Sequence, residues 1–166
     1  MSTRSTRRGA RKPPRTLQLV NTMQRRLFDY EFLGLKHLDR DKPSLLVGNH
    51  SIYAWDLAIM FVELRLRKGI QLRPLADRFH QNVPLWRDLL ESNGVVTATP
   101  ENCARLMEAG EHILVYPGGA REAFKRSGEE HRLIWKKRTG FARMALANRY
   151  PITPFFVYGA DLSYDI

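Results

Sequence analysis

His112-Ile113-Leu114-Val115-Tyr116-Pro117-Gly118-Gly119 is the stretch on which the reading of this chain turns. Its first five residues make a short, mostly apolar run that Pro117, Gly118 and Gly119 close abruptly. A run of that length and composition, bounded by turn formers, predicts a strand buried in a sheet. Just upstream, Thr99 is a natural N-cap with Pro100 at the first helical position, and the helix is expected to end near Ala109-Gly110. Before it lie a strand over 94–97, a short helix over 84–90, a strand over 71–76, a helix over 54–67 and a strand over 44–47 closed by Gly48. Downstream, a helix over 137–148 leads into a last strand over 152–158. Strands separated by helices predict an α/β fold, a layered sheet with flanking helices.

Outside this alternation the chain changes character. Residues 1–15, rich in Ser, Thr, Arg and Pro, read as a disordered basic arm, and residues 16–39 as an amphipathic helix and lead-in to a domain over 40–166. Residues 1–26 hold eight basic residues and no acid, so only +2 of the net +10 is left for residues 27–166. The arm suits a solvated tail, an anionic membrane surface or nucleic acid. It has no aromatic residue, which disfavours stacking on single-stranded nucleic acid. In the helix, Leu17, Val20, Met23, Leu27 and Phe28 recur at helical spacing, with Gln18, Asn21, Gln24 and Arg25 on the other side. Such a stripe is expected to pack on its own domain, with a membrane interface as the alternative.

One cysteine, Cys103, rules out an intrachain disulfide and a cysteine zinc cluster, and makes a reducing, cytoplasmic setting the default. No apolar stretch is long enough to cross a bilayer, and the basic N-terminus lacks the apolar core of a secretory signal. The histidines 37, 80, 112 and 131 show no metal-ligand spacing, so no metal is expected. A Gly-x-Ser-x-Gly elbow and a nucleotide P-loop are both missing.

Two clusters carry chemistry. In Asn49-His50-Ser51-Ile52-Tyr53-Ala54-Trp55-Asp56, a histidine leaves a strand end and a carboxylate follows at the start of a helix. Imidazole takes and returns a proton near neutral pH, and a carboxylate fixes its tautomer and stabilises the imidazolium. The same residues also suit an ordinary turn and a helix-start carboxylate. In Tyr116-Pro117-Gly118-Gly119-Ala120-Arg121-Glu122-Ala123, two glycines allow close backbone approach, and Arg121 offers a fork to a phosphate, a carboxylate or an oxyanion. The plain alternative is a glycine turn with Arg121 paired to Glu122 or another acid. Both clusters follow strands, and in open α/β sheets ligands gather at the carboxyl ends of strands.

Together these residues resemble the glycerolipid acyltransferase superfamily, in its order of an Asn-His block, an aromatic-Pro-x-Gly-x-Arg turn and a closing Pro-aromatic block, here Ile152-Thr153-Pro154-Phe155-Phe156. The chain looks most like the subgroup of phytyl ester synthases and diacylglycerol acyltransferase-like proteins, where the aspartate falls one place later and the turn reads Pro-Gly-Gly-x-Arg-Glu-Ala. Glu129-Glu130 followed by Leu133-Ile134-Trp135 continues the likeness, which covers about residues 40–166.

The resemblance implies His50 as general base and Asp56 as its orienting partner, with Asn49, Gly118, Gly119, Arg121 and Glu122 as substrate contacts. Backbone N–H groups near Gly118 and Gly119, with Arg121 beside them, would stabilise a tetrahedral oxyanion. It implies transfer of a fatty acyl group from an acyl thioester, acyl-CoA or acyl carrier protein, to a lipid hydroxyl, with no further cofactor. Gly118 stands where phosphate-acceptor enzymes carry a glutamate, and the second block, residues 94–99, has threonines in place of an arginine. Both favour a neutral acceptor, a diacylglycerol or a long-chain alcohol, over a lysophospholipid. The expected setting is peripheral, on the cytoplasmic face of a membrane, with no specific nucleic acid. The chain ends soon after the last block, where the resemblance leads one to expect further C-terminal structure, an incomplete acyl pocket and an exposed sheet edge. The remaining alternative is a non-catalytic membrane or nucleic-acid binding protein that works through its basic arm.

Overall fold

Five short strands, all parallel, form one sheet in the order β3-β2-β4-β1-β5. This computed structural model describes residues 14–51 and 54–163. Residues 1–13 of the basic arm expected over 1–15, the pair Ile52-Tyr53 and residues 164–166 therefore lie outside the described residues. The strands are β1 (Leu45–Val47), β2 (Leu72–Ala76), β3 (Val96–Thr97), β4 (His112–Val115) and β5 (Ile152–Pro154). The helices between them are α2 (Trp55–Lys68), α3 (Pro84–Ser92), α4 (Pro100–Glu108), α5 (Gly119–Ala123) and α6 (Gly140–Ala147), with α1 (Arg15–Leu27) ahead of the sheet.

The predicted alternation holds, and the burial follows from the parallel arrangement. Strands covered on both faces read as continuous apolar runs, and every residue of β1 is buried. Successive side chains of β1 point to opposite faces. Leu46 joins Leu38, Met60, Leu64, Ile70, Leu72 and Leu114 in one core, which includes residues of α2. Leu45 and Val47 join Cys103, Leu106, Met107, Ile113 and Ala145 in the other core, which includes residues of α4 and α6. Thr99 caps α4 as expected, its hydroxyl accepting from the Asn102 N–H at 3.2 Å.

Two elements depart from the sequence reading. The last strand stops at Pro154 instead of running to Tyr158, because the backbone of Val157 bonds to the Asn49 side chain and not to a neighbouring strand. The first helix is docked the other way round from the usual amphipathic arrangement. Its Gln24 is buried, and Asn21 and Arg25 bond to Glu63 of α2. Leu19, Met23 and Leu27, by contrast, are 62%, 55% and 70% exposed. Glu63 causes the inversion. It is a buried carboxylate that needs donors, and Asn21, Arg25 and Tyr30 supply them.

Candidate active site

β1 and β4 are neighbours with Val47 opposite Val115, so the chain leaves both strands side by side at the same end of the sheet. That register brings the two sequence clusters together. Asn49 is buried, and its amide clamps the segment after β5: Nδ2 donates to the Val157 carbonyl at 2.8 Å and Oδ1 accepts from the Val157 N–H at 2.7 Å. The side chain expected to touch substrate is therefore used up in holding the loop that carries His50.

His50 is pinned from two sides. Its ring stacks on Tyr116 with centroids 3.9 Å apart and planes 7° from parallel. Its Nδ1 lies 3.4 Å from Asp56 Oδ1, an ion-pair distance longer than an ordinary hydrogen bond. The same oxygen accepts from the Ser51 hydroxyl at 2.6 Å. Asp56 enters from the first turn of α2, where the helix dipole favours a carboxylate. Burial opposes its ionisation, but hydrogen bonding and charge from His50, with Ser51 and Tyr116, hold it below the usual carboxylate range. The Tyr116 phenol, buried close to that carboxylate, is pushed well above its ordinary value by desolvation and by the charge of Asp56. Among the described residues its hydroxyl meets Asp56 without a well-aligned hydrogen bond. A carboxylate beside Nδ1 favours the tautomer with its proton there, leaving the lone pair on Nε2. Nδ1 is buried against the carboxylate, and 14% of the side chain remains exposed.

The turn after β4 is fastened to the same loop through Glu122. This carboxylate is fully buried and accepts from the His50 N–H and the Ile134 N–H, each at 3.0 Å. Glu122, expected among the substrate contacts, is instead a fastener between the two loops. Gly118 makes room for it, since a Cβ at that position would overlap the Glu122 carboxylate. Gly119, at φ +55°, gives its N–H to the Tyr116 carbonyl at 3.0 Å. That amide closes the turn and is not left for an oxyanion. Among the described residues the Gly118 N–H has no bonding partner. Arg121 pairs with Glu129, which also accepts from the Arg126 N–H at 2.8 Å. The guanidinium and that N–H hold Glu129 down to about 2.

Sequence reasoning missed three parts of this site. Lys125 and Asp161, 36 residues apart, form a buried pair at 2.6 Å, and Lys125 Nζ also lies 3.4 Å from the His50 carbonyl. Tyr116, the end of the predicted strand, is also the ring partner of His50. Arg138 donates to the carbonyls of Pro117 and Gly118 at 3.1 and 2.7 Å. None of these has a local signature, because each joins segments far apart in the chain.

A cavity of about 480 Å³ opens beside the turn. Its lining includes Leu75, Cys103, Val115, Phe141 and Met144, and it reaches Tyr116 and Pro117. A second cavity of about 300 Å³, with His80, Arg87 and Arg105, lies at the β2–β3 side and shares no residue with the His50 cluster. His80 there accepts from the Trp86 indole at 3.0 Å, so it does not join the site. Among the described residues no group of three or more His, Cys, Asp or Glu side chains is placed to hold a metal, and no helix is long and apolar enough to cross a membrane.

Comparison with known proteins gives consistent matches. A family model described as Acyltransferase matches residues 29–158. The chain is 35% identical over 140 residues to a chloroplastic phytyl ester synthase 2 of Arabidopsis thaliana, covering 77% of this chain and 19% of the relative. It is 30% identical over 127 residues to a human protein named as a DGAT1/2-independent enzyme synthesizing storage lipids, covering 76% and 39%. To diacylglycerol O-acyltransferase 1 of Saccharomyces cerevisiae it is 32% identical over 98 residues, covering 58% and 23%. The chain thus spans between about a fifth and two fifths of the length of these relatives. No solved structure matches it significantly.

Proposed function

The chain belongs to the acyltransferase family, and from that premise we propose that it carries the catalytic centre of an O-acyltransferase that moves a fatty acyl group from a thioester to a neutral lipid hydroxyl. The observation that carries this reading is His50, whose Nδ1 lies 3.4 Å from buried Asp56 and whose partly exposed ring stacks on Tyr116 at the start of the glycine turn. Nε2 takes the acceptor's hydroxyl proton as the oxygen attacks the thioester carbon. The tetrahedral intermediate places its negative charge near the Gly118 N–H. Collapse breaks the C–S bond, and the imidazolium returns its proton to the leaving thiolate. Atoms and charge balance without a metal or redox partner. The acyl donor is acyl-CoA or acyl carrier protein, and the apolar cavity beside Tyr116 and Pro117 supports accommodation of an acyl chain.

The neutral acceptor, a diacylglycerol or long-chain alcohol, rests on position 118. With Glu122 buried beneath it, no acidic side chain fits there, and Arg121 is occupied by Glu129. The names of the relatives, a phytyl ester synthase and a diacylglycerol O-acyltransferase, point the same way. A membrane surface as the place of work is supported by α1. Its stripe of Leu19, Val20, Met23 and Leu27 faces away from the domain, and Arg15 and Arg26 share that helix in a stretch with no acid. An apolar stripe with arginines beside it suits an anionic lipid interface.

The test is an assay of labelled acyl-CoA against a diacylglycerol, a long-chain alcohol and lysophosphatidate. The neutral acceptors are expected to be acylated and lysophosphatidate is not. His50→Ala is expected to lose roughly 10²–10⁴-fold in kcat. Full activity in His50→Ala, or acylation confined to lysophosphatidate, overturns the reading.

A further inference from the structure

We infer that Arg138 is the positioning residue of the oxyanion site: by holding the carbonyls of Pro117 and Gly118 it aims the Gly118 N–H at the reacting carbonyl oxygen. The inference rests on the acyl-transfer reading and adds to it a residue outside both sequence clusters.

A trans peptide is planar, and its C=O and N–H point in opposite directions. Whatever grips the Pro117 oxygen therefore sets the direction of the Gly118 N–H. Arg138 Nη1 donates to that oxygen at 3.1 Å and to the Gly118 oxygen at 2.7 Å. The two carbonyls thus face Arg138, and the Gly118 N–H faces away from it. The next amide along, of Gly119, is closed onto the Tyr116 carbonyl at 3.0 Å. This leaves the Gly118 N–H as the turn's free donor among the described residues.

The turn is joined to the loop that carries the base. Tyr116, directly before the turn, stacks on the His50 ring. Gly118 lies against the Glu122 carboxylate, which accepts from the His50 N–H. The segment that carries Arg138 is tied to the same carboxylate, since Ile134 N–H donates to its other oxygen at 3.0 Å. The Arg138 backbone is itself fixed by its N–H on the Trp135 carbonyl at 3.1 Å. Arg138 also lines the apolar cavity with Pro117. A cation on the carbonyl side polarises the peptide and makes its N–H a stronger donor. Oxyanion donors act only when preorganised, and displacement of such a donor lowers the chemical step more than binding.

The test is steady-state kinetics of Arg138→Met, Arg138→Lys and Arg138→Gly beside His50→Ala. Arg138→Met is expected to lose about 10–100-fold in kcat with KM for acyl-CoA changed by less than about threefold. Its kcat/KM pH profile is expected to keep the wild-type base limb, because His50 and Asp56 are untouched. Arg138→Lys should recover part of the rate, and guanidinium added to Arg138→Gly should restore it without altering the thermal midpoint. Unchanged kcat in Arg138→Met overturns the inference, as does a loss confined to KM, which would make Arg138 a substrate contact. If the variants unfold and guanidinium restores fold and rate together, Arg138 is a structural anchor and the inference fails. Full activity in His50→Ala instead sinks the acyl-transfer reading itself.

Discussion

Helix α2 (Trp55–Lys68) buries two carboxylates seven residues apart, Asp56 and Glu63, and uses them in opposite ways. Glu63 is saturated. It accepts from Asn21, Arg25 and Tyr30, and Arg67 lies 3.6 Å away. Burial and the neighbouring Glu63 push the Tyr30 phenol up to about 12, which keeps it a fixed donor. Asp56 has one oxygen on Ser51 and near His50, and another with no hydrogen bond at all. A buried carboxylate ringed by arginines and neutral donors, with no imidazole beside it, holds structure together. One with spare acceptor capacity beside an imidazole gains interaction when that imidazole becomes charged. About two helical turns, near 10 Å of rise, separate a clamp from the proposed partner of His50.

The contrast breaks most sharply at Asp56. Asp56→Asn is expected to cost roughly 10²–10⁴-fold in kcat, because the amide neither fixes the tautomer nor stabilises the imidazolium. Stopped assays with acyl-CoA and a diacylglycerol read this directly. Next in size is the face of α1 that the Glu63 clamp turns outward. Met23→Ser with Leu27→Ser is expected to weaken partitioning onto anionic vesicles about tenfold or more, since burying each such side chain contributes about 1.5–3 kcal/mol. Vesicle flotation measures it, and unaltered partitioning would remove α1 from the membrane surface.

Glu63→Gln tests the other half of the comparison. It is expected to lower unfolding stability by about 1–3 kcal/mol by weakening hydrogen bonds to a buried charge. At this chain length that is a drop of about 2–4 °C in Tm per kcal/mol, with kcat of the folded protein nearly unchanged. A kcat loss matching that of Asp56→Asn would erase the distinction drawn between the two carboxylates. The smallest effect is on acid stability. The folded-state pKa of Asp56 is lowered from its ordinary 3.8, so its ionisation adds stability that is present above that value and lost as pH falls through the lowered one. Urea midpoints between about pH 3 and pH 6 should fall at the acid end in the wild type. Asp56→Asn should flatten that limb.

The parts that could be read from the chain are those whose cause is local. The run 112–116 closed by Pro117-Gly118-Gly119 identified β4. Thr99-Pro100 identified the start of α4. The Asn49-His50 and Asp56 spacing drew attention to the loop after β1. Asn49 and Glu122, expected as substrate contacts, both bond to backbone, and in sequence a polar residue near a strand end looks the same whether it faces a ligand or a backbone. Only their bonds to Val157, His50 and Ile134 distinguish the two. The orientation of α1 was hidden for a similar reason. Periodicity shows that a helix has two faces, and a buried Glu63 on another helix decides which one turns inward.

The sequence by itself determined the alternation of strands and helices and the α/β class, and it drew attention to His50 and Asp56. These follow from propensity, apolar periodicity and turn chemistry, which act over a few residues. Only the tertiary structure decided that β1 and β4 lie side by side, that Tyr116 stacks on His50, and that Arg138 and Glu122 hold the glycine turn from either side. Those contacts join residues 20 to 72 positions apart. Their energy comes from burying and pairing polar groups that meet only after the sheet has formed.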